Sequence, residues 1–128
     1  VKKKGSIGMN TVIIMGHLAN EPDVKMAEDI NKSVAKYSIG VNRIRGNAGQ
    51  EEVNYFNCVA FGVRADFADK FLHEGMKVLI TGRLHSGSYT NKDGQKIYYT
   101  EIIVELLEIV DNKKVKTLAQ GRQNGGVQ

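Results

Sequence analysis

The chain has 128 residues, 41% hydrophobic and 25% charged, with a formal net charge of +4. That suits one domain with a modest core, and no apolar run is long enough to cross a membrane as a helix. The single cysteine, Cys58, excludes an internal disulfide framework and a cysteine-based metal cluster.

Residues 1–8, "VKKKGSIG", lack periodicity and are expected to be a flexible arm or a vector remnant, with Met9 as a candidate native start. "TVIIMG" (11–16) is β-branched and apolar and predicts a buried strand. "HLANEPDVK" holds the only proline, Pro22, and reads as a turn or extended loop. "VAKYSIGVNR" (34–43) alternates, which predicts a half-buried strand. A polar, glycine-bearing loop, "RGNAGQEE", follows.

"VNYFNCVAFG" (53–62) predicts a third strand. It has Phe56, Cys58 and Ala60 on one face and Tyr55, Asn57, Val59 and Phe61 on the other. The period then changes. In "RADFADKFLHEG" (64–75), Phe67, Phe71 and Leu72 fall at helical spacing, with Gly75 as C-cap. "KVLITGRLHSGSYT" and "KIYYTEIIVELLEIV" are the fourth and fifth strands, joined by a turn centred on Asp93-Gly94. Under a symmetric turn Tyr89 faces Tyr98. Residues 111–128 are polar and rich in Gly and Gln, and a disordered tail is expected there.

Three strands, a short helix and two strands make an all-β chain. The position of the helix favours a five-stranded OB-fold Greek-key barrel over residues 9–110, with a long hairpin between strands four and five.

Chemistry for catalysis is missing from the pattern. His17, His73 and His85 show no metal-ligand spacing, and there is no P-loop, nucleophile elbow or dinucleotide fingerprint. No enzyme activity and no cofactor are expected.

The pattern points instead to outward rings. A small barrel has one interior, so one face of the third strand must look out, and an outward Tyr55 and Phe61 need a partner. Lys32, Lys36, Arg43 and Arg45 lie in a segment with no acid between them, and Lys77, Arg83, Lys92 and Lys96 lie along the later strands. Rings beside cations suit unpaired bases, which stack on aromatics without regard to sequence, while Lys and Arg neutralise phosphates. The basic excess is not global. Lys2, Lys3 and Lys4 carry +3 at one end, and the last eighteen residues carry another +3, so residues 11–110 are at −2. Any electrostatic footprint is local.

"MNTVIIMGHLANEPDVK", "VAKYSIGVNR", "NYFNCVAFG", "ADKFLHEGMKVLITGRL" and "YTNKDGQKIYYTEIIV" together resemble the bacterial single-stranded DNA-binding proteins, in order and spacing, over about residues 9–110. The resemblance implies an OB fold, a homo-oligomer taken as a tetramer, and protection of single-stranded DNA in replication, recombination and repair. It places Tyr55, Phe61 and Tyr89 at family stacking positions and Lys25 at a basic one. The hairpin pairing adds Tyr98. A further family ring is expected after "VNR", where this chain has Ile44 and Arg45. The stretch before Tyr89, "HSGS", is nearly neutral, and tryptophan is absent. These departures imply weaker or more salt-sensitive binding. The family's acidic tip is also missing, so a truncated or short variant, of the phage and plasmid kind, is expected to recruit repair proteins weakly or not at all. The expected location is the cytoplasm. A primosome-type OB protein, and an OB domain whose outward rings form a protein interface, are the alternatives.

Overall fold

A computed structural model describes the backbone of residues 7–45 and 50–110, and side chains within 7–43 and 52–110. Residues 1–6 of the arm expected at 1–8, and the tail expected at 111–128, lie outside the described residues. Six strands and one helix follow in the order β1 (Val12–Leu18), β2 (Asp23–Ala27), β3 (Lys32–Arg45), β4 (Gln50–Phe61), α1 (Val63–Phe71), β5 (Lys77–Thr90) and β6 (Lys96–Ile109).

The strands are arranged β1-β5-β6-β4-β3-β2, and a β1–β3 pairing closes the ring. Five strands therefore make the barrel, as expected. The sixth, β2, lies where the sequence predicts a turn or extended loop. It pairs with β3 from Asp23↔Lys36 to Ala27↔Lys32, beside the short β1–β3 contact at His17↔Gly40 and Leu18↔Ile39. Pro22 stops short of the strand and so costs it no ladder hydrogen bond. Val24, opposite Ala35, packs against the core, and Asn31 takes a left-handed turn conformation (φ 53°).

Alternation sends Ala35, Tyr37 and Ile39 of β3 inward, to meet Ala60, Cys58 and Phe56 of β4. Ala35, Tyr37, Ile39, Cys58 and Ala60 are buried with Val78, Ile80, Ile102 and Val104, whereas Phe56 lies at the barrel mouth and is partly exposed. The helix plugs one end through small residues. Ala65, Ala68 and the following Leu72 are buried, while Phe67 and Phe71 stay partly exposed, their ring centroids 4.9 Å apart at a tilt of 45°. Of the residues expected on the helix face, Leu72 is buried, but Ala65 and Ala68 take the place of Phe67 and Phe71, because their small side chains allow a close approach. The C-cap is Leu72, in extended conformation, and Gly75 (φ 91°) instead turns the chain into β5.

Burial pushes the Cys58 thiol from its ordinary 9.0 up to about 12. Burial, and secondarily the neighbouring Cys58, raises the Tyr37 hydroxyl too. Both groups are held neutral. Their contribution to stability is complete below the unfolded thiol's range, about pH 8.5, and is lost as pH rises from there toward the folded values. At neutral pH the folded protein should therefore resist iodoacetamide and be alkylated at Cys58 only as it unfolds. Rapid alkylation of the native protein would contradict this packing.

Candidate nucleic-acid interface

The barrel's outer surface is continuous from β3 through β4 and β6 to β5. On it β3 presents Val34, Lys36, Ser38 and Gly40, and β4 presents Phe61, Val59, Asn57 and Tyr55 opposite them. The parallel β4–β6 pairing sets Val59 beside Ile103, so β6 contributes Glu101 and Tyr99 to the same face. Gly87 and Tyr89 of β5 complete it.

The hairpin that carries Tyr89 is built differently from the expected symmetric turn. Asn91 N–H donates to the Gln95 carbonyl (2.9 Å), and Gly94 N–H to the Asn91 carbonyl (3.1 Å). The Asn91 side-chain oxygen accepts from Asp93 N–H (3.0 Å) and Gln95 N–H (2.9 Å). Gly94 has φ 78°. This is a three-residue loop with a left-handed third residue, and Asn91 faces Gln95 across it. The odd loop shifts the register by one. Tyr89 opposes Ile97, Ser88 opposes Tyr98, and Gly87 opposes Tyr99.

The expected Tyr89–Tyr98 pair is therefore corrected. Tyr99, in place of Tyr98, shares the outer face with Tyr89, their ring centroids 6.2 Å apart. Tyr98 is on the opposite face of the arm, with Lys96 Nζ 5.5 Å from its ring centroid. Glycines make room for the rings. A Cβ on Gly87 would come within 2.4 Å of the Tyr99 hydroxyl, and one on Gly40 within 3.3 Å of the Tyr55 ring. Each ring lies across a cross-strand glycine, a packing that covers backbone left bare by the missing side chain.

Two adjoining cavities run along this face, about 610 Å³ and 420 Å³. Tyr89, Tyr99, Ser38 and Asn57 line the larger, Phe61, Val34 and Ile30 the smaller, and Asp23, Lys36, Val59 and Glu101 both. Together they form one groove with rings at both ends. Tyr55, 66% exposed, stands beside it on β4.

The predicted cations do not converge. Lys36 and Lys25 line the groove, but Lys25 lies 3.8 Å from Asp23. Lys92 and Lys96 are at the hairpin tip. Arg43 is paired with Glu52 (2.7 Å) and Arg83 with Glu105 (3.0 Å), and neither lines the groove. Exposed pairs of this kind are worth at most about 1 kcal/mol, yet a phosphate would have to compete with the carboxylate. The Arg45 side chain lies outside the described residues. The groove is thus not basic: Lys25 and Lys36 are set against Asp23, Asp29 and Glu101, beside the rings of Phe61, Tyr89 and Tyr99.

The single-strand binding protein family model matches residues 9–110. The chain belongs to this family. It is 32% identical over 116 residues to single-stranded DNA-binding protein 1 of Lactococcus lactis subsp. lactis (strain IL1403), covering 90% of this chain and 74% of the relative. It is 31% identical over 119 residues to single-stranded DNA-binding protein 1 of Staphylococcus aureus (strain COL), covering 92% and 67%. Its fold is similar to that of a Plasmodium falciparum SSB solved in complex with ssDNA, with a TM-score of 0.74 at 24% identity, over 84% of this chain and 99% of that one. The likeness to that structure supports the OB barrel. Among the described residues no helix is long and apolar enough to cross a membrane, and no group of acidic, His and Cys side chains could hold a metal ion.

Proposed function

We propose that this family member binds single-stranded DNA without catalysis and with little regard to sequence, along the groove between Tyr89–Tyr99 and Phe61. The observation that carries the reading is the outward aromatic row of Tyr55, Phe61, Tyr89 and Tyr99 on one barrel face, flanking Lys36. Flat rings can stack only on bases that are not already stacked in a duplex, so the arrangement selects single strands. Tyr98 with Lys96 offers a second, smaller contact from the other side of the arm. Lys25, Lys36, Lys92 and Lys96 serve as the phosphate partners, with Arg43, Arg45 and Arg83 as secondary ones. Protection of single strands during replication, recombination and repair is the role this chemistry fits.

The test is a fluorescence titration with oligo(dT) and with a duplex of equal length, repeated across salt concentrations. Oligo(dT) should bind and the duplex should not. Each phosphate contact contributes a slope of about −0.7 in log K against log [salt], so Lys36, Lys92 and Lys96 give a slope of about −2, and Lys25, if it leaves Asp23, brings it to about −3. A flat response would reject the lysine roles, and equal duplex binding would reject the stacking reading.

The same reading includes self-association through β1. Ile13 (66% exposed) and Met15 (47%) point outward from this short strand. Its edge toward β3 is paired only at His17 and Leu18, so among the described residues the 12–16 backbone is unpaired on that side. An apolar strand with an open edge is a template for a second copy. The proposed assembly is a homotetramer, and light scattering with and without oligo(dT) reads its mass. A monomeric mass in both states would overturn it.

A further inference from the structure

Glu101 is an acidic group at the centre of a groove read as a path for a polyanion. It follows Tyr99 on the same face of β6 and lines both halves of the groove. Its side chain is 22% exposed, so it is neither sealed in the core nor freely solvated. His85 Nδ1 lies 3.3 Å from Oε1 and fixes the carboxylate's orientation, and the His85 ring in turn lies 6.1 Å from that of Tyr99. Among the described residues Oε2 has no hydrogen-bond donor, and neither Lys25 nor Lys36 makes an ion pair with Glu101.

Asp23 and Lys36 line both halves of the groove as well; the carboxylates repel phosphate and Lys36 attracts it, so a strand that follows the rings with its phosphates toward Lys36 turns base edges toward Glu101. An ionised carboxylate only accepts hydrogen bonds. The bases differ in what they can give it. Thymine has one N–H between two carbonyl oxygens. Cytosine and adenine each offer an amino group beside a ring nitrogen acceptor, which would oppose the second oxygen. Guanine alone carries two adjacent donors, N1–H and N2–H, spaced to meet both oxygens, in the same parallel fork that makes guanidinium–carboxylate pairs directional. Unstacked bases in single strands expose this edge.

We propose that Glu101 is a specificity-determining residue that gives the groove a preference for guanine at the base stacked by Tyr89 and Tyr99, Oε1 and Oε2 accepting from N1–H and N2–H. The assignment rests on the groove being the single-strand path. It superimposes a local base preference on otherwise sequence-tolerant stacking.

The experiment compares an alternating thymine–guanine oligonucleotide with its thymine–inosine counterpart of equal length, and with oligo(dT), in lithium buffer to suppress quadruplexes. Inosine keeps the purine and N1–H and loses only the N2 amino group. The wild type should bind the guanine strand about fivefold more tightly than the inosine strand, the lower end of the range for a bidentate base contact. In Glu101→Gln that ratio should fall to near one, since an amide presents a donor where the second acceptor stood. The wild-type comparison needs no variant, so equal binding of the two strands overturns the proposal whatever the stability of Glu101→Gln. So does the same preference persisting in a folded Glu101→Gln. If the wild type binds oligo(dT) but treats guanine and inosine alike, only the guanine contact fails. If it binds none of the three, the groove is not the DNA path and both readings fail together.

Discussion

Replacing Tyr99 with alanine should weaken oligo(dT) binding by about 1–3 kcal/mol, the range for one lost base–aromatic stack, and Tyr89→Ala should cost a similar amount. Both rings stand on the outer face at one end of the groove, and Tyr99 lies over Gly87, whose missing side chain leaves it space. Tyr99→Phe keeps the π-face and should bind nearly as the wild type does, which separates stacking from any role of the hydroxyl. Tyr98→Ala should cost less than either, because Tyr98 faces away from the groove. The order of effects is the test. If Tyr98→Ala proved the most damaging and Tyr99→Ala silent, the three-residue loop register would be functionally wrong and the symmetric hairpin would return. Light scattering on the same variants addresses the protein-interface alternative: if Tyr55→Ala or Tyr89→Ala dissociated the oligomer while binding persisted, the rings would belong to a subunit contact.

Gly16→Ala should destabilise the barrel by about 1–3 kcal/mol, as overpacking at a tight contact does. Added there, a Cβ would stand 2.3 Å from the Gly40 carbonyl oxygen and 2.8 Å from Ile39 Cγ2. The first of these is backbone and cannot rotate away. It belongs to the residue opposite His17 in the two-pair contact that closes β1 onto β3, so relief requires the ring to open where it is weakest. For a domain of this size the loss corresponds to a fall in Tm of roughly 5–20 °C. Gly8→Ala is the control, since nothing lies within 4 Å of a Cβ at that position. A Gly16→Ala melting temperature equal to that of Gly8→Ala would show that the strands can part there without cost.

These expected results bear on different layers of the molecule, and the two layers were unequally readable in the sequence. The β3 and β4 faces were readable because alternation is a local property. Tyr55 and Phe61 on one side, Cys58 and Ala60 on the other, follow from a period of two once a single interior is assumed. The extent of β5 and β6 was readable for the same reason. The short strand β2 was missed because Pro22 and a run of charged residues look like loop, and only the edge of β3 gives "DVKMA" something to pair with.

By itself the sequence determined the all-β class, the helix between the third and fourth barrel strands, the outward aromatics on β4 and the resemblance to the single-stranded DNA-binding proteins. The tertiary structure decided which hairpin ring faces the groove. One residue of loop length moves every β6 side chain on the arm to the other face relative to β5, and that length depends on Asn91 accepting from Asp93 and Gln95 and on Gly94 turning left-handed. It also decided the electrostatics. Along the chain Lys25, Arg43 and Arg83 look like free phosphate ligands, but folding sets them beside Asp23, Glu52 and Glu105 from neighbouring positions and strands. Glu101 enters the groove for the same reason: its place there depends on β6 lying parallel to β4, a pairing between segments more than forty residues apart that no local pattern encodes.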